Sequence, residues 1–196
     1  MKNEQKSIFA VILAFIVSIF VGKKTEEPAA PKPAEKPASY VPGKKTLVGV
    51  VGAAVAAILF QTVPIHEGEG RIGYLDPVGI ATKCYGDTTN VVVGKAYSEA
   101  ECRESLETQL IAHAEPVLKC TPVLQGKTNQ LAAAVSLAYN IGAGAYCKST
   151  AAKKFNAGDF AGACAEFSRW TLAGGKQLPG LVKRRAEERA LCERGL

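Results

Sequence analysis

The chain has 196 residues, 24 Lys plus Arg against 18 Asp plus Glu, a net charge of +6, and two histidines, His66 and His113. That length fits one domain with appendages. Two histidines with no HExxH or CxxC pattern exclude the usual zinc peptidase or amidase ligand sets, so neither a metal nor any other cofactor is expected. The charge is uneven: the first 63 residues carry +4 and the rest +2, which directs the basic excess toward a membrane surface rather than nucleic acid.

Residues 8–22 form a near-continuous apolar run of 15. This is short of the roughly 20 residues that span a bilayer. It also fits a signal-peptide core, but no small-x-small cleavage site follows, so an uncleaved anchor is favoured. Residues 1–22 are therefore read as an N-terminal anchor or signal helix. Residues 23–45 are rich in Pro, Ala, Lys and Glu, cannot bury a core, and read as a linker. Residues 46–65 carry no charge across 20 positions but are heavy in Gly and Ala, which contribute little to membrane insertion. Such a helix can enter a bilayer and also leave it. The alternative is a buried helix of a soluble domain, or a small-residue face for helix packing. Six Lys against three Glu in the linker favour a cytoplasmic position for it, with the N-terminus and the C-terminal domain outside.

Chemistry concentrates next. Eight residues separate Glu67 from Asp76 and five separate Asp76 from Thr82. Acid-catalysed hydrolysis of a glycosidic bond needs a protonated carboxyl beside the leaving oxygen and an ionised carboxylate across the sugar. Residues 63–67 read as the end of an apolar helix stopped by Gly68, which puts Glu67 among apolar groups that favour its neutral form. Residues 71–74 and 80–85 alternate apolar and polar around Asp76, Pro77 and Gly79, so they read as a small hairpin with Asp76 at its wet turn and Thr82 on the return strand. On spacing alone, a helix-end Glu and an Asp before Pro are also ordinary cap and turn residues. Glu69 is a rival acid, read as a solvated turn residue.

The remainder reads as helices. Ser98 and Glu101 form a capping box that opens a helix to about Glu115. Thr128 caps the next, with Leu131, Ala134, Val135 and Ala138 as core. Short helices follow over 149–156 and 159–168, and Pro179 opens the last, to about Arg194. Asn140 and Gly142 are candidate sugar-cleft residues, although a helix C-terminus needs such residues anyway. Trp170 suits either a sugar face or the core. Arg184, Arg185, Glu187 and Glu188 read as a solvated helix face.

The Glu67, Asp76 and Thr82 spacing resembles the catalytic signature of the phage-type lysozymes, glycoside hydrolase family 24. The likeness continues through Ala138 to Gly144, Phe155 to Asp159, Arg169 to Lys176, and from Gly180 to Cys192, about two-thirds of the chain. It implies an α+β fold: a mostly helical lysozyme-like domain over residues 66–196 with a small β-hairpin subdomain, here preceded by two N-terminal apolar membrane helices. It further implies a monomeric signal-arrest-release endolysin on the host inner membrane, residues 46–65 being the releasable segment and the catalytic domain lying in the periplasm. The implied substrate is the β-1,4 bond between N-acetylmuramic acid and N-acetylglucosamine in peptidoglycan, cleaved with inversion. Glu67 would be the general acid, Asp76 would position water or stabilise the cationic sugar, and Thr82 would hold that water. A lytic transglycosylase uses a single Glu, and a wall-binding protein needs none of the three. One departure is visible: many members follow the return-strand Gly with His, whereas Asp87 follows Gly86 here, which bears on local stability rather than activity.

Cys84, Cys102, Cys120, Cys147, Cys164 and Cys192 all lie in the C-terminal domain. An even count behind a membrane-directing segment reads as disulfides in an oxidising compartment. Fifteen connectivities are open to six cysteines. Nearest-neighbour pairing fits the expected elements, and its first and last bridges resemble pairs in secreted members of the family.

Overall fold

The computed structural model describes residues 45–68, 70–76 and 79–196. The expected anchor over 8–22, the linker up to Lys44 and the rival acid Glu69 lie outside these residues.

Helix α1 (Leu47–Val51) starts at Thr46, whose hydroxyl accepts the Gly49 N–H at 3.1 Å. It ends at Gly52, where φ is +85° and helix α2 (Ala53–Glu67) begins in a new direction. Nothing lies within 4 Å of a Cβ added there, so the backbone conformation alone asks for glycine. Leu47, Val55, Ala56, Leu59 and Val63 are buried, with Val55, Leu59 and Val63 at the i, i+4, i+8 spacing of one helical face. Ala53, Ala54, Ala57 and Ile65 are exposed. The uncharged stretch 46–65 is thus two helices packed into the same core as the rest, and the buried-helix alternative describes it in this conformation. Among the described residues, no helix is long and apolar enough to cross a membrane.

Strands β1 (Gly70–Leu75) and β2 (Ala81–Cys84) pair antiparallel with Tyr74 opposite Thr82 and Leu75 opposite Ala81. This is the expected hairpin. Gly73 is fixed by space: a Cβ there would sit 2.3 Å from the Val92 carbonyl oxygen, so the 91–95 loop closes over β1 only because the side chain is absent.

Helix α3 (Glu99–Cys120) opens with the expected capping box and runs past Glu115 through Pro116. Proline removes one N–H from the ladder, but burial of Val117 and the bridge from Cys120 hold the last turn in helical form. Helix α4 (Thr128–Ile141) begins one residue before expectation: Lys127 is the cap and Thr128 lies inside the first turn without capping it. Every residue from Gln130 to Ala138 is buried, so α4 is the central helix of the domain. Four alanines (Ala132, Ala133, Ala134, Ala138) let α2, α3 and the later helices approach it closely.

Helix α5 (Ala143–Lys148), α6 (Thr150–Asn156, capped by Ser149) and α7 (Phe160–Ala165, capped by Asp159) follow, with a 3-10 turn over Glu166–Arg169 replacing the expected end of the fourth. A two-residue ladder, β3 (Leu172–Ala173) with β4 (Lys176–Gln177), turns at Gly174 and Gly175; it has no counterpart in the sequence reading, because two-residue strands carry no period. Helix α8 (Pro179–Cys192) closes the fold against α4. The cysteines pair as nearest neighbours: Cys84 with Cys102, Cys120 with Cys147, Cys164 with Cys192. The first ties β2 to α3, the second α3 to α5, and the third α7 to α8.

Candidate active site

Glu67 is the last residue of α2, and Gly68 ends the helix with its N–H on the Pro64 carbonyl at 3.2 Å. The hairpin starts three residues later, so the helix end and the strand pair share one corner of the molecule. The apolar surroundings expected for Glu67 are not found. Its Oε1 accepts a hydrogen bond from Arg184 Nη1 at 2.7 Å, and its side chain is 18% exposed. A Cβ on Gly86 would lie 3.5 Å from the other oxygen, Oε2, so the turn after β2 borders this carboxyl.

Asp76 sits at the hairpin turn as expected, half-buried. Its Oδ1 accepts the Ile80 N–H at 2.8 Å, and its own N–H reaches the Ile80 carbonyl at 2.9 Å. Thr82 is 5% exposed and donates its hydroxyl to that same carbonyl at 3.1 Å. The Ile80 backbone therefore links the Asp76 carboxylate, through its N–H, to the Thr82 hydroxyl, through its carbonyl, and the lone pairs of Thr82 Oγ1 remain as acceptors.

Behind Glu67 lies an ionic cluster, which corrects the reading of α8 as a solvated face. Arg184, Arg185 and Glu188 are 4%, 1% and 3% exposed; of that group only Glu187 reaches solvent. Glu188 Oε1 accepts from Ser136 Oγ at 2.7 Å, Arg184 Nε at 3.0 Å and Arg185 Nη2 at 2.9 Å. Arg185 Nε lies 2.8 Å from Glu188 Oε2 but is not aligned for a hydrogen bond. Burial pushes the Glu188 carboxyl up, and the Arg185 and Arg184 guanidiniums pull against it. Arginine N–H groups face both oxygens, Arg184 Nε and Arg185 Nη2 at Oε1 and Arg185 Nε 2.8 Å from Oε2, so an acid proton on either would meet a donor, and the two guanidiniums favour the ionised carboxylate. The sequence carried a partial signal for this cluster: Leu191 stepped back by three and seven lands on Glu188 and Arg184, and Cys192 stepped back by four, seven and eight lands on Glu188, Arg185 and Arg184, but the remaining steps land on Glu187, Lys183 and Arg189 outside it.

Asn140 accepts from Arg185 Nη1 at 3.1 Å and is otherwise exposed, while Gly142 ends α4 with its N–H on the Ala138 carbonyl. Trp170 is half-buried, packs on the core, and lines a concavity of about 480 Å³ with Ser149, Glu166 and Arg169, on residues separate from the Glu67 corner. Tyr139 donates to the Tyr85 carbonyl at 2.8 Å; burial pushes its phenol up, and the Glu67 and Asp87 carboxylates add to this. His66, beside Glu67, holds Nε2 3.4 Å from Glu187. Burial lowers its pKa, Arg184 lowers it further, and Glu187 opposes both.

Asp87, the departure noted in the sequence, is 6% exposed. It accepts from the Ser105 hydroxyl, from Gln109 Nε2 at 3.1 Å and from the Thr89 N–H at 2.8 Å, with Lys83 Nζ at 3.5 Å. Burial alone would raise its pKa, but the bonds from Ser105 and Thr89, with the Lys83 charge, lower it overall. Asp87 thus fastens the end of the hairpin to α3. Among the described residues, no three His, Cys, Asp or Glu side chains converge as a metal site requires.

The family model described as Phage lysozyme matches residues 65–188. A SAR-endolysin of Bacteriophage PS119 is 44% identical over 127 residues, covering 64% of this chain and 75% of its own. A SAR-endolysin of Enterobacteria phage P21 is 42% identical over 156 residues, covering 76% of this chain and 94% of its own. Among solved structures, the endolysin from Escherichia coli O157:H7 phage FAHEc1 superposes with a TM-score of 0.59 at 29% identity, over 73% of this chain and 92% of that one. A lysozyme-like domain, mostly helical with a small two-stranded hairpin, and a family match over residues 65–188 together mean that this chain belongs to the phage lysozyme family.

Proposed function

We propose that this protein is an endolysin with muramidase activity, which hydrolyses the β-1,4 bond between N-acetylmuramic acid and N-acetylglucosamine in peptidoglycan during host lysis. The observation that carries the reading is the corner where α2 meets the hairpin. There a carboxyl held by a guanidinium, a turn carboxylate and a buried hydroxyl come from one continuous stretch of chain. Glu67 is the general acid. Arg184 occupies Oε1, which a neutral carboxyl presents as its carbonyl oxygen, and this leaves Oε2 to carry the proton to the leaving oxygen. Asp76 orients water or faces the cationic sugar, and Thr82 accepts a hydrogen bond from that water while its own proton stays on Ile80. Water attack opposite the leaving group gives inversion.

The domain works as a monomer tethered to the host inner membrane on the periplasmic side, with residues 1–22 as anchor or signal, 23–45 as linker and 46–65 as the releasable segment. Support for release is that one uncharged stretch suits both solvents: it is free of charge for the bilayer, yet it contributes Leu47, Val55, Leu59 and Val63 to the enzyme core. In the bilayer it withholds α2, and so Glu67, from the corner.

The test uses the full chain with Glu67→Gln, scored by reducing-end release from purified sacculi and by product mass. Loss of activity with hydrated muramyl ends in the wild type is expected. An active Glu67→Gln enzyme, or anhydro ends, defeats the assignment. Leu at Ala53, Ala54 and Ala57 tests release: these positions are exposed in the folded enzyme, so bilayer retention rises and lysis is delayed without loss of the fold. Unchanged lysis timing rejects the release mechanism.

A further inference from the structure

Four ionic side chains meet at the interface of α2, α4 and α8: Glu67, Arg184, Arg185 and Glu188. Only Glu67 borders the reaction corner. The other three are buried to within a few per cent of completely, and charges are retained there only when paired. With Glu188 ionised, the three buried α8 charges of Arg184, Arg185 and Glu188 sum to +1, and that is the charge Glu67 faces. Without the Glu188 carboxylate, Glu67 would face +2 across the same short distances.

We propose that Glu188 is a positioning residue for the hydrolytic reaction: pinned by Ser136, it neutralises one guanidinium and orients Arg184, so that Glu67 faces one unbalanced positive charge instead of two. The inference rests on the reading of Glu67 as general acid. The geometry supplies both halves. Arg184 is a fork with Nε on Glu188 at 3.0 Å and Nη1 on Glu67 at 2.7 Å, so the orientation of one bond fixes the other. Arg184 Nη2 also reaches the Ser136 carbonyl at 3.4 Å, so Ser136 holds Glu188 through its hydroxyl and Arg184 through its backbone. Arg185 is tied by hydrogen bonds to Asn140 and Glu188 and feels Glu67 through its charge alone, so among the described residues Arg184 is the hydrogen-bonded link between the buried cluster and the acid.

Charge balance has a consequence that packing alone lacks. A general acid works only while protonated, and an added positive charge opposes protonation of a neighbouring carboxyl. Removing the Glu188 charge therefore moves the alkaline limb of the pH–activity profile to lower pH. The other groups around the cluster are His66 on α2, Lys183 and Glu187 on α8, and Tyr139 on α4, which also senses Asp87. None of them is altered by the substitutions below.

The experiment measures kcat and KM against pH for the full chain on solubilised peptidoglycan, with folding checked by circular dichroism. Glu188→Gln is expected to shift the alkaline limb of kcat down by about one pH unit, with KM little changed. Glu188→Asp keeps the limb in place and lowers kcat through the lost reach. The double variant Glu188→Gln with Arg185→Met restores the single unbalanced charge and returns the limb to the wild-type position. A folded Glu188→Gln enzyme with an unmoved limb overturns the proposal, and so does a double variant that fails to return it. If Glu188→Gln does not fold, the double variant decides on the same criterion. Failure of all three variants to fold makes Glu188 a folding residue and also overturns the proposal. Glu67→Gln is run alongside: if it is active, the assignment of the acid has failed, whereas if it is inactive and the limbs are unmoved, only the inference about Glu188 has failed.

Discussion

Arg184 Nη1 and Glu67 Oε1 are 2.7 Å apart in space and 117 residues apart in the chain. This contact docks the last helix against the end of α2, so the order of the C-terminal helix is also the order of the proposed acid. Replacing Arg184 by Met removes one partner from Glu67 and one from buried Glu188. A buried charge left with a broken pair costs about 3–5 kcal/mol. We expect thermal unfolding to fall accordingly and kcat to drop at least about tenfold. Arg184→Lys recovers part of the stability but less of the rate, since an ammonium cannot bond Glu67 and Glu188 as a fork. Equal rates for Lys and Arg at this position would refute the orienting role.

The network of Asp87 predicts acid sensitivity localised to the hairpin. Its folded-state pKa is lowered, so its stabilisation is fully present above the unfolded carboxylate value of 3.8 and is lost as pH falls through the folded value. Asp87→Asn should cost about 1–3 kcal/mol at neutral pH, from donors left unpaired and a weakened Lys83 contact. It should also flatten the stability loss below about pH 4 relative to wild type. Chemical denaturation at pH 7 and pH 3.5 checks both, and a variant with an unchanged slope would show that Asp87 is not the group titrating.

These two sites mark where the sequence was legible and where it was not. The hairpin, the capping box at Ser98 and the Pro179 start were readable because each rests on neighbours within a few residues. The cysteine pairing was open to fifteen connectivities in the sequence, with nearest neighbours favoured, because the partners lie 18, 27 and 28 residues apart. Asp87 was noticed only as a departure, because its partners Ser105 and Gln109 lie on another element. The Arg184 cluster was misread for a related reason: charge pairs at i, i+3 and i, i+4 look identical on a wet helix and a buried one. Burial is decided by what packs above them, here α4, whose alanines let α8 approach. The apolar environment expected for Glu67 failed by the same route, since its neighbour arrives from the far end of the chain.

His66 gives a pH signature of opposite chemical type but the same sign. Burial holds its pKa below the ordinary 6.5, so its contribution is complete above 6.5 and declines as pH falls toward the folded value. Wild-type melting temperature should therefore decrease below about pH 6.5, and His66→Gln should lessen that decrease while leaving the pH 8 value nearly unchanged. Identical slopes for the two proteins between pH 5 and 7 would rule His66 out.

The Cys164–Cys192 bridge joins two fully buried sulfurs and closes a separation of 28 residues between α7 and α8. Its loss relaxes the helix that carries Arg184. Replacing both cysteines by Ala should cost about 2–4 kcal/mol and should lower activity at temperatures well below global unfolding. Removal of Cys84–Cys102, on the hairpin side, should leave the α8 amides protected in hydrogen exchange. Equal loosening of α8 by both replacements would contradict this partition.

The three covalent rings lie one after another along the chain and none encloses or crosses another. A polypeptide threaded outward from its N-terminal end can seal each ring before the next half-cystine emerges, so at every moment the nearest available thiol is also the native one. On such a route oxidation needs an electron acceptor but leaves no mispaired bridge to reshuffle.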